Sequence, residues 1–241
     1  MQSENKLSVL RYATDFAPSH AANNYGMNAR IKRLRQQSFE ADPSPSIERA
    51  LIETRFYQEN EGKYPIPVLR ALNFLEICKQ KTIYIGADEL IVGERGPKPK
   101  AVPTFPELTC HSVEDLHVLN TRELQRYTIS EEDIETYARE VIPYWQGRTQ
   151  RERIFNHVPQ DWKEAYELGM FTEFMEQRAP GHTALDGKIY QYGLLDLKER
   201  IAKELSSLDF MNDPEATDKQ EELKAMSISC DAAILFAERH A

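Results

Sequence analysis

The 241-residue sequence predicts a mainly α-helical fold with a few short strands. Three observations carry this. Apolar residues recur at three- and four-residue spacings through most of the chain, which is the helical period. Ser, Pro and Gly punctuate those runs where helices start and stop. One stretch, "TIYIGADELIVGERG", abandons the period for β-branched residues between glycines, the pattern of one or two short strands.

Residues 1–26 lack periodicity, and "APSHAANNYG" is turn-rich, so they read as a loosely ordered lead-in. Met27, followed at once by the helical run "NARIKRLRQQSFE", is an alternative functional start, and residues 27–241 read as one partial domain. In "DPSPSIERALIETRFYQENEG", Ser44 or Ser46 can cap a helix and Pro45 suits its first position. Ile47, Ala50, Leu51 and Thr54 share one face, and Asn60-Glu61-Gly62 supplies the stop. "IPVLRALNFLEICKQK" has Pro67 near its start and an apolar stripe of Val68, Leu72, Leu75 and Cys78. "GPKPKAVPTFPELTCHS", with four prolines, reads as loop.

Further helices are expected in "TISEEDIETYAREVIPYW", where Ser130 precedes Asp133 at capping-box spacing, and from Pro159 through "WKEAYELGMFTEFMEQR". "YGLLDLKERIAKELSSLDF" aligns Leu194, Leu197, Ile201 and Leu205. The last helix places Leu223, Met226, Cys230, Ala233, Ile234 and Ala237 on one stripe and runs to Ala241 without Gly, Asn or Pro to end it. A pattern that breaks off in this way is expected of the N-terminal part of something longer. Its apolar faces make a homo-oligomer an expectation too.

Composition narrows the partners. Apolar residues at 41% can build a core, while a net charge of −9 argues against non-specific nucleic-acid binding. The basic run "RIKRLRQQ" has no interleaved aromatics to stack bases, so it reads as a solvated helix face. Cys78, Cys110 and Cys230 are far apart and in no CxxC spacing, which suggests neither disulfides nor zinc and favours the reducing cytoplasm. No apolar run reaches the roughly 20 residues that span a bilayer, so no membrane partner is expected.

The sharpest local feature is "FTEFMEQRAPGHTALDG". Pro180 and Gly181 stop a helix and the next residue, His182, projects from its end, with Phe174 upstream. One imidazole beside an aromatic wall suits a pocket for a small polar substrate. The alternative is a turn histidine satisfied by a backbone carbonyl. Glu114 and His117 form a single Glu-x-x-His, better read as a solvated helix pair than as a metal site. Cys110 and His111 are adjacent, so their side chains diverge and do not form a nucleophilic pair.

"SIERALIETRFYQENEG", "PVLRALNF", "DELIVGERG", "PTFPEL", "TISEED…VIPYW" and "GMFTEFMEQRAPGHT" together resemble, in their order, the N-terminal region of glycyl radical enzymes, the pyruvate formate-lyase superfamily. Within it the resemblance is to the dehydratase branch, most specifically to members that dehydrate hydroxyproline. It implies the N-terminal portion of a ten-stranded α/β barrel. It also implies radical elimination of water from a small hydroxylated substrate, with His182 catalytic and Phe174 and His182 binding substrate. The family stores its radical on a protein glycine, installed by a radical-SAM activase. That glycine's Arg-Val-x-Gly-Tyr motif occurs nowhere in this sequence, and no cysteine sits in the family's Cys-x-Glu setting. The chain is therefore expected to need the missing C-terminal portion of the barrel and to be incompetent alone. The alternatives are a non-catalytic helical binding or regulatory module and, behind it, a hydrolase using His182 with Glu176 or Asp186.

Overall fold

The computed structural model describes residues 28–90, 92–170 and 186–241. The chain divides into two units, Met1–Ala41 with Gly86–Ile91 and Asp42–Ile85 with Val92–Ala241. In the first, α1 (Ala29–Glu40) begins where Asn28 Oδ1 accepts the Ile31 amide at 2.9 Å. Arg33 grips Asp88 through two nitrogens at 2.8 and 2.5 Å, and Arg30 donates to the Asp88 carbonyl at 3.0 Å. The basic run is thus a mostly exposed helix face, tied to Asp88 by Arg33, as its composition suggests.

The second unit runs β1 (Ser44–Ser46), α2 (Glu48–Asn60), α3 (Ile66–Gln80), β2 (Ala101–Pro103), α4 (Val113–Thr121), α5 (Glu131–Glu140), α6 (Ile142–Trp145), α7 (Gln150–His157), α8 (Gln160–Glu167), a 3-10 turn (Asp186–Tyr190), α9 (Leu194–Ser206) and α10 (Ala216–Glu238). The strands pair in parallel, Ser44 opposite Ala101 and Ser46 opposite Pro103.

That pairing corrects two expectations. Ser44 and Ser46 are strand residues and cap nothing, and Pro45 sits mid-strand; α2 starts after Ile47 without a side-chain cap. The described residues of "TIYIGADELIVGERG" form no strand, and the partner strand lies instead in the proline-rich stretch read as loop. Proline lacks an amide hydrogen and so tolerates a strand paired along one edge only. The bonds that make the pair, Ser44 N to Lys100 O at 3.2 Å and Thr104 N to Ser46 O at 3.1 Å, join segments nearly 60 residues apart in sequence. No local period encodes them. Gly96 lets the preceding loop fold onto β2, since a Cβ there would lie 2.5 Å from Ala101 Cβ and 2.6 Å from its carbonyl oxygen.

One core gathers Ile47 and Ala50 with Leu116 of α4, Ile134 and Tyr137 of α5, Val141 and Trp145. Trp145 Nε1 donates to Thr54 Oγ1 at 2.8 Å, and that hydroxyl donates to Ala50 O at 2.6 Å. Ser112 and Ser130 cap α4 and α5 by accepting the amides of Asp115 and Asp133. At Ser130 the capping box is only half formed: Asp133 takes the Ser130 hydroxyl at 2.8 Å.

A second core joins α3 to α10 through Val68, Ala71 and Ala225, with Leu72 and Ile228 packed against it. Here the expected α10 stripe is rotated. Ala225, Cys230 and Ala232 are buried, whereas Met226 is 52% exposed and Ala237 is exposed as well. α10 packs against both α3 and α9, so its smallest residues take up the close approach to other helices. On α9, Ile201 is buried with Leu194, Leu197 and Leu205 half-buried beside it, as the period predicts. Lys198 and Asp231 pair between α9 and α10. Arg239, just past α10, donates to Cys78 O at 2.5 Å and Lys81 O at 2.8 Å, satisfying carbonyls that the end of α3 leaves open. Among the described residues no helix is long and apolar enough to cross a membrane.

Candidate functional site

Phe174 and His182 lie outside the described residues, as does Glu176; the described chain stops at Met170 and resumes at Asp186. The elements framing that interval are ordered by local chemistry. Thr149 is buried and closes a capping box with Glu152, its hydroxyl accepting the Glu152 amide at 3.1 Å while Glu152 Oε2 accepts Thr149 N at 3.1 Å. This starts α7. Phe155 of α7 then meets Trp162 and Tyr166 of α8 edge-on, at 5.4 and 5.2 Å between centroids. Trp162 and Tyr166 are parallel at 5.9 Å, and the Arg151 guanidinium lies 4.3 Å from the Phe155 ring. Each contact is a favoured geometry of an aromatic quadrupole.

The helix expected to run on to Arg178 ends at Glu167. Gly169 takes φ +70°, its amide bonds Tyr166 O at 2.9 Å, and Met170 N bonds Ala165 O at 3.0 Å. This is the Schellman ending that a glycine just past the cap makes cheap. Gly169 was the readable signal. The apolar period running through it masked the stop.

The other candidates stay apart. Glu114 and His117 are exposed on α4, with His117 Nδ1 4.0 Å from Glu131. Among the described residues no His, Cys, Asp and Glu cluster could hold a metal. Cys110 Sγ lies 3.7 Å from Tyr137 Oη, and burial pushes its thiol pKa up. His111 lines a separate, largely apolar cavity of about 290 Å³ with Phe105, Leu108 and Tyr127, where burial pushes the imidazole down and keeps it neutral. No residue assigned to substrate lines it.

A charged cluster went unseen in the sequence. Arg49 Nη1 donates to Glu53 Oε2 at 2.8 Å and to Glu107 Oε2 at 3.0 Å, while Nη2 donates to Glu107 Oε1 at 2.6 Å. The Phe105 ring lies 4.3 Å from the guanidinium. Glu53, 2% exposed, also accepts from Asn73 Nδ2 at 3.1 Å, and Asn73 Oδ1 is buried without a partner. Burial first, and then the charge of Glu107, push Glu53 up to about 8, against the pull of Arg49. Its only sequence signal was an Arg and a Glu four apart, ordinarily a solvated pair.

The family model for pyruvate formate lyase-like proteins matches residues 23–241. The trans-4-hydroxy-L-proline dehydratase of Clostridioides difficile is 47% identical over 216 residues, 90% of this chain and 27% of that protein. The crystal structure of the hydroxyproline dehydratase from Clostridioides difficile, with trans-4-hydroxy-L-proline bound, matches with a TM-score of 0.81 and 46% identity, over 89% of this chain and 27% of that one. The glycerol-bound B12-independent glycerol dehydratase from Clostridium butyricum matches with a TM-score of 0.75 and 28% identity, over 90% and 28% of the respective chains. The chain thus spans about 27% of the length of these relatives.

Proposed function

The chain belongs to the pyruvate formate lyase-like family, and from that premise we propose that it supplies the N-terminal part of a glycyl radical dehydratase that removes water from a small hydroxylated substrate of the hydroxyproline type. The observation that carries this reading is the identity to the Clostridioides difficile hydroxyproline dehydratase, sustained over nine-tenths of the chain. Under it, His182 and Phe174 form one wall of the substrate pocket. An imidazole, with an ordinary pKa of about 6.5, can give a hydrogen bond or a proton to the departing hydroxyl at neutral pH, typically worth ~10²–10⁴ in rate. Phe174 excludes water beside it.

The radical of the family needs a glycine loop and a cysteine followed closely by a glutamate. The residues present do not fit it: Cys78 and Cys230 are buried in helix packing, and none of the three cysteines has the required neighbour. No radical step belongs to this chain's own side chains. The remaining portion of the barrel and a radical-SAM activase are therefore partners of the proposal. A helical binding or regulatory module is the second reading, supported by large apolar side chains exposed on the helices, Ile66, Leu195 and Met226 among them.

The test is anaerobic co-expression of the chain with a downstream portion of a close relative and its activase, followed by assay of hydroxyproline loss. The proposal expects a stable complex that turns over, and a His182→Ala complex that still assembles but loses ~10²–10⁴ of the rate. A complex without turnover favours the module; no association and no turnover reject both.

A further inference from the structure

Glu53 and Glu107 both reach one nitrogen. Arg49 Nη1 lies 2.8 Å from Glu53 Oε2 and 3.0 Å from Glu107 Oε2, which brings two carboxyl oxygens together around a single donor. One guanidinium balances one carboxylate; a second negative charge at a position only 2% exposed has no counter-ion among the described residues. The groups facing the pair add none. Tyr57 of α2 is pushed up to about 12, chiefly by burial and next by Glu53, and burial also raises Tyr137 of α5, so both phenols stay neutral. Asn73 of α3 offers a neutral amide, Thr104 a carbonyl, and Arg70 of α3 bears on Tyr57 from a distance.

We infer that Glu53 keeps its carboxyl proton beside the Arg49–Glu107 ion pair, and that this neutral carboxyl is the clasp holding α2 to α3 and to the segment after β2, weakened as the pH rises. The direction follows from the chemistry. A carboxyl whose folded-state affinity for its proton exceeds that of the unfolded chain contributes stability that is complete at acid pH. That stability is lost progressively as the pH climbs from the ordinary value of 4.5 to the folded-state value of about 8. This is the reverse of the usual salt-bridged carboxylate.

The experiment is urea unfolding of the full 241-residue chain and of Glu53→Gln, an isostere that cannot ionise, between about pH 5 and pH 8. The wild-type unfolding constant is expected to rise relative to the variant by about tenfold per pH unit across that window. Parallel curves overturn the inference. Should Glu53→Gln fail to fold, infrared difference spectra of the wild-type chain, labelled with ¹³C-glutamate, decide the matter. A protonated-carboxyl stretch at neutral pH that vanishes on alkalinisation supports the retained Glu53 proton, and its absence at neutral pH rejects it.

Discussion

Thr54 shows how one residue ties sequence to packing. Its place on the inward face of α2 was legible from the helical period, because neighbours three and four apart share a side. Its partner was not: Trp145 is 91 positions away, and its indole N–H reaches the Thr54 hydroxyl inside the core. Thr54→Val keeps the shape and removes the acceptor, leaving a buried donor unpaired. The expected loss is about 1–3 kcal/mol in urea unfolding. Thr54→Ser, which keeps the oxygen, should lose less; an equal loss would mean that the methyl group, not the hydrogen bond, matters. Glu53, one position earlier, teaches the opposite lesson. A glutamate on a charged helix reads as solvated, and only the approach of Glu107 and Asn73 from other elements reveals a buried carboxyl.

Elements were legible where the signal is local. Ser130 caps the helix that follows, as its spacing to Asp133 suggests, and Asn28, Ser112 and Thr149, not expected as caps, do the same, since a side-chain oxygen and an amide three residues on are all the interaction needs. The period predicts that α9 faces inward through Ile201, and it does. It fails for α10, which serves two neighbours and buries Ala225 and Ala232 in place of Met226 and Ala237. Ala232 has no exposed surface, so Ala232→Leu should overpack the helix contact and cost about 1–3 kcal/mol by thermal or urea unfolding. Met226→Leu, at an exposed position of the same helix, should change stability by less than about 0.5 kcal/mol. Comparable effects at both sites would show that α10 is seated on the face its stripe first suggested.

At the scale of the molecule, the larger unit leaves big apolar side chains in solvent: Ile66 is 73% exposed, Leu195 70% and Met211 90%. Single exposed apolar residues are ordinary, but so many large ones in one unit favour association. Sedimentation velocity of the isolated chain should show a weight-average mass that rises with concentration. A strictly monomeric boundary throughout would contradict this. The co-expressed downstream portion should suppress the rise if it covers the same residues.

Most helix periods, the Ser130 cap and the family's ordered motifs were readable before any coordinates, because each depends on residues within a few positions of one another or on their order along the chain. Which strands pair, which face of α10 is covered, how Arg239 closes the end of α3 and whether Glu53 keeps its proton were decided by tertiary structure alone. Those outcomes depend on desolvation and on partners 20 to 161 positions away, and such distances leave no period in a sequence.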